Sequence, residues 1–153
     1  MYNENEKNVK IPGFEYIDHT ADVQARCYGF SLEQAFEQTA YSLMKTISPN
    51  LEKIQIIEKK EITIKAEDKE ALLFDFLSEF LYIFDVEGLI FSQIIVEKIQ
   101  KIGNEYSLIA NASGEKFNNL RHEIGIEVKA ITYSYMNIEE KSDKTIIDIV
   151  FDI

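Results

Sequence analysis

Residues 16–47 read "YIDHTADVQARCYGFSLEQAFEQTAYSLMKTI", and the hydrophobic period changes inside them. Val23, Ala25 and Cys27 alternate with Gln24, Arg26 and Tyr28, the period-two signature of a half-buried strand. Gly29 closes that strand. From Leu32 the period becomes helical: Leu32, Ala35, Phe36, Ala40, Leu43, Met44 and Ile47 share one face. Ser31 is placed to cap the first turn, with Gln34 three residues on for the reciprocal bond of a capping box. Ser48-Pro49-Asn50 stops the helix, because the residue before proline is pushed out of the helical region.

The same two periods alternate through the rest of the chain. "EKKEITIKAE" sets Ile62, Ile64 and Ala66 on one side of a second strand. Asp68 is the natural cap of a second helix, whose wide apolar stripe (Leu72, Leu73, Phe76, Leu77, Phe80, Leu81, Phe84) marks it as the central core helix. Gly88 suits its left-handed stop. "LIFSQIIVEKIQKI" and "EYSLIANASG" flank Gly103-Asn104 as a hairpin. "IGIEVKAITYSYMNIEE" and "KTIIDIVFDI" are β-rich and pair across "KSDK". Strand, helix, strand, helix and four strands predict an α+β domain, with two helices covering one face of a mostly antiparallel or mixed sheet. Residues 1–11 read as a flexible polar arm and 12–153 as one domain.

Bulk properties narrow the function. The 153 residues carry a net charge of −11 and 46% hydrophobic residues, enough for a sizeable core. Phosphate backbones are gripped by clustered Lys and Arg, so direct, strong nucleic-acid binding is not expected. Cations and basic protein surfaces are the better partners. No apolar run is long enough to span a bilayer, and the polar "MYNENEKNVK" resembles neither a signal nor a transit peptide, which points to the cytoplasm. The single cysteine, Cys27, excludes an internal disulfide framework and reads as a small buried hydrophobe.

Chemistry concentrates at two places. Asp18, His19 and Asp22 stand at the entrance of the first strand read above, and the chain ends in Asp152-Ile153. Carboxylates can hold a hard cation through oxygen. Asp18 and Asp22 cannot complete a calcium shell alone, but Asp152 and the α-carboxylate of Ile153 would extend it if the two chain ends met. Solvated surface acids are the plain alternative. His19 beside Asp18 could act as a general base in a small hydrolase, or simply as a hydrogen-bonding fixture. Arg121, His122 and Lys129 bring positive charge into an acidic chain, and Lys129 reads as a mid-strand residue facing away from the core.

Taken together, "YIDHTADVQARCYGFSLEQAFEQTAYSLM", "EDKEALLFDFLSEFLYIFDVEGLIF", "GEKF", "RHEIGIEVKAITYSYM" and the final "DI" resemble the archease family in order along nearly the whole chain. Gln24 departs from the glycine the family usually has there, and Ser134 from the histidine of many members. The resemblance implies a protein that is not itself an enzyme. It would activate the metal-dependent, GTP-using RNA ligase of tRNA splicing and RNA repair, promoting ligase guanylylation and repeated turnover. It implies a divalent-metal site of Asp22, Asp152 and Ile153, seen with calcium in the family (manganese or magnesium being alternatives), supported by Asp18 and His19. It gives Lys129 the ligase-activating role. A general chaperone or metal-buffering module, or the His19/Asp18 hydrolase, are the rival readings.

Overall fold

A computed structural model describes residues 9–17 and 21–153. Seven strands and two helices follow one another: β1 (Gly13–Ile17), β2 (Asp22–Gly29), α1 (Leu32–Ile47), β3 (Glu58–Ala66), α2 (Lys69–Glu87), β4 (Leu89–Ile102), β5 (Glu105–Lys116), β6 (Ala130–Glu140) and β7 (Thr145–Asp152). A short 3-10 turn, Leu51–Lys53, follows α1. The α+β class, both helices and the four closing strands are as the sequence predicts. The strands fall into two antiparallel sheets, ordered β1-β2-β7-β6 and β3-β5-β4, a division that alternation along the chain does not reveal.

Local signals set the helix ends. Ser31 accepts from the Gln34 N–H at 3.1 Å, while Gln34 Oε1 reaches back to the N–H of Phe30, one residue before the cap. Asp68 caps α2 through the Ala71 N–H at 2.7 Å. Gly88 ends α2 at φ 68°, the left-handed region where a side chain is costly.

Each helix touches both sheets. α1 packs on β2 and β7 of one and β4 of the other, and α2 on β6 of the first and β3, β4 and β5 of the second. The core lies where they meet: Phe36, Phe76, Phe80 and Phe91 are fully buried, and successive ring pairs among them lie 5.0–5.9 Å apart. Rings at these separations add to their area burial through edge and tilted contacts.

α1 also closes the open edge of β4. Glu33, Glu37 and Tyr41, four residues apart and so on one helix face, accept from the N–H groups of Ile99, Val96 and Ile94. An edge sealed in this way cannot template pairing with another strand.

Candidate functional site

Antiparallel register builds the site. β2 pairs with β7 so that Asp22 stands directly opposite Asp152. On its other side β7 sets Asp152 opposite Ala130 of β6, and the Lys129 N–H extends that ladder to the Asp152 carbonyl at 2.8 Å. Asp22, Lys129, Asp152 and Ile153, far apart in sequence, therefore lie at one end of one sheet. Lys129 is not mid-strand as expected: it precedes β6, held by that single ladder bond. Its side chain is exposed while Val128 is buried, as the alternation predicts. Asp18 and His19, the supporting residues of the sequence reading, lie outside the described residues.

Facing carboxylates are unusual in a ladder, because directly opposed residues share a sheet face at about 5 Å between Cβ atoms and like charges there destabilise. Four residues along the same strands the arrangement is the ordinary one. Arg26 stands opposite Asp148 and donates from Nε at 2.7 Å, a contact that raises the guanidinium's already high pKa. At the sheet end an acid faces an acid, Asp22 being half-buried and Asp152 exposed. Carboxylate oxygens of this kind suit a hard divalent cation. Among the described residues no three His, Cys, Asp or Glu side chains converge as a metal cluster; what the register brings together is the two aspartates, with Ile153 next in the chain.

Beside Asp22 lies a recess of about 370 Å³, walled by Tyr16, Val23, Lys45, Thr46, Gly125 and Ile126 among others. Burial raises the Tyr16 phenol, which donates to the Ser42 carbonyl at 2.9 Å. Cys27 is fully buried and burial pushes its thiol up, which removes it as a nucleophile.

The segment before Lys129 is pinned at several points. Ser48 Oγ donates to the Glu123 carbonyl at 2.7 Å, and the N–H groups of Gly125 and Ile126 donate to the carbonyls of Ile47 and Thr46 at 2.8 Å. A Cβ on Gly125 would meet the Thr46 oxygen at 2.2 Å, so only glycine permits this approach.

Upstream, the sequence offers Arg121 and His122 as spare positive charge, but the structure commits both to Glu115. That carboxylate is 4% exposed and takes hydrogen bonds from the Gln55 N–H at 2.6 Å and from Arg121. His122, 3% exposed, accepts the Asn118 N–H at Nδ1 (2.9 Å), which puts its proton on Nε2, 3.1 Å from Glu115. Burial works to raise the Glu115 carboxyl. The Gln55 N–H, the His122 ring and the Arg121 guanidinium outweigh it and hold the group below the usual carboxylate range. Nothing in "GEKF" alone announces this role, since its partners come from two other segments, at Gln55 and at Arg121-His122.

Known proteins share this arrangement of elements. The model of the Archease protein family (MTH1598/TM1083) matches residues 14–153. A protein archease of Pyrococcus abyssi is 46% identical over 130 residues, covering 85% of this chain and 90% of its own. Another, of Methanosarcina barkeri, is 37% identical over 140 residues, covering 92% and 95%. The solution structure of Methanobacterium thermoautotrophicum protein 1598 superposes with a TM-score of 0.81 at 32% identity, covering 93% of this chain and 99% of that one. The crystal structure of an archease from Thermotoga maritima, described as a possible chaperone, gives a TM-score of 0.56 at 26% identity, covering 90% and 94%. The fold therefore defines a small two-sheet α+β protein of the kind these structures share. The chain belongs to the archease family.

Proposed function

We propose that this protein is an activator of a GTP-dependent RNA ligase in tRNA splicing or RNA repair, acting through a divalent-metal site and not as an enzyme itself. The observation that carries the reading is the pairing of Asp22 with Asp152 at the sheet end, with the Lys129 amide on the Asp152 carbonyl. Two aspartates opposed in a ladder are costly alone and favourable around a cation.

Asp22, Asp152 and the Ile153 carboxylate would hold the metal, calcium first and manganese or magnesium as alternatives. When bound, the ion supplies positive charge to this end of the sheet. Lys129, exposed and fixed at its backbone, presents a cation beside it. The pinned run 123–126 keeps Lys129 in register with Asp152, so charge is presented to the ligase from a rigid frame. An activator that is not consumed works by binding one state of its partner better than the other, here the nucleotide-accepting state.

The test is multiple-turnover RNA joining by substoichiometric ligase with GTP and limiting metal. Wild-type chain should restore turnover, and Asp22→Ala or deletion of Ile153 should not. Joining that is equal with and without the chain would sink the reading. A second reading, general chaperone action, is favoured by the description of the Thermotoga maritima relative. It predicts rescue of unrelated clients and indifference to Lys129→Ala.

A further inference from the structure

A second surface adjoins the acidic sheet end. Between the C-terminal turn of α2 and residues 124–128 runs a groove of about 160 Å³, close to the ~150 Å³ of a cavity that accepts a benzene ring. Leu81, Phe84, Phe117, Ile124, Ile126 and Val128 form its apolar walls. Ile124 and Ile126 are 70% and 47% exposed, although the backbone around them is fixed to α1. Gly125 and Ile126 also line the recess beside Asp22, so the two hollows share one wall. Val128 closes the groove on the side of Lys129.

The charges that line the groove have one sign. The charged residues of its lining are Asp85 and Glu127, and neither is ion-paired with a described residue. Asp85 stands in the last turn of α2, which has no basic residue to balance the negative end of the helix dipole. Acids there cost the isolated helix stability, and a cationic group brought by a partner would reverse that. Phosphate would be repelled. A second copy of this chain would bring the same two acids against themselves.

We infer that this groove docks a segment of the partner protein in which a bulky apolar side chain is flanked by lysine or arginine. The inference rests on the ligase reading for the identity of the partner and on the groove for its chemistry. An apolar anchor in a pocket with a charged rim is how a few residues carry most of the energy of an interface. Seated there, the partner segment reaches Lys129 and Asp22 over the shared wall at Ile126.

Binding of the full chain to its cognate ligase, followed by fluorescence anisotropy at low and high salt, tests this. Ile124→Ser/Ile126→Ser should weaken binding at least about tenfold at both salts, since it removes the anchor contacts. Asp85→Lys/Glu127→Lys should weaken binding at low salt, with the loss shrinking at high salt as charges are screened. Asp22→Asn should retain the salt-independent apolar part of binding yet fail to restore ligase turnover. If both groove variants bind within about twofold of wild type, with unchanged melting curves, the groove is not the docking site while the ligase reading stands. If wild type neither binds nor stimulates the ligase, both readings fall. Self-association of wild type that Ile124→Ser/Ile126→Ser abolishes would make a second copy the occupant and overturn the inference.

Discussion

Glu115 and the Asp22–Asp152 pair place negative charge in opposite ways. Around Glu115 the chain supplies every partner: the Gln55 N–H from far upstream, and an imidazole and a guanidinium from the adjacent His122 and Arg121. The charge is buried, satisfied and internally closed. At the sheet end the register brings two acids face to face, and one of them is exposed. A buried charge must find its partners at folding, because leaving it unpaired costs several kcal/mol. A surface charge can wait for a partner from outside. The first arrangement is a fastening for the loop that leads to Lys129, and the second is the candidate site.

Breaking the fastening should have the larger effect on stability. Glu115→Ala leaves the Gln55 N–H and the His122 ring without an acceptor and should cost about 3 kcal/mol in urea unfolding. The same carboxylate sets an acid limit. Its folded pKa lies below the unfolded value, so its contribution is complete above the ordinary Glu pKa of about 4.3 and is lost as pH falls through the folded pKa. The unfolding free energy of Glu115→Gln should therefore vary less with pH in that window than that of wild type, as urea unfolding at a series of pH values would show. Gly125→Ala forces the 123–126 run off the Thr46 carbonyl and should cost about 2 kcal/mol in thermal melting; on the proposed ligase reading it should also weaken activation by displacing Lys129, which turnover assays read.

At the sheet end the expected signs differ. Arg26→Ala, which unpairs Asp148 in the same ladder, should destabilise by about 1 kcal/mol. Asp152→Asn, on the exposed side of the pair, relieves like-charge opposition and should leave metal-free stability unchanged or slightly raised, while abolishing the rise in melting temperature expected for wild type with calcium on the metal reading. A substantial loss of metal-free stability in Asp152→Asn would mean that the aspartate is a structural fixture like Glu115, and the contrast between the two regions would disappear.

Much of this protein was legible in its residue order. Both helices, their caps at Ser31 and Asp68, the stop at Gly88 and the hairpin at Gly103-Asn104 follow from local period and turn chemistry, because those signals are read within a few residues. Local order also set Asp22 at the start of a strand and Asp152 at the end of another. Tertiary structure decided the rest. Division of the strands between two sheets depends on which strand faces which helix, and no period encodes that. The meeting of Asp22 with Asp152 depends on register across 130 residues of chain, and the capture of Arg121 and His122 by Glu115 depends on the approach of Gln55 and Asn118. Residue type alone made those two side chains resemble spare ligands for a partner. Burial of Glu115 and His122, which removes water and obliges each polar group to find a mate, ties both residues into the cluster, Arg121 reaching Glu115 from the surface.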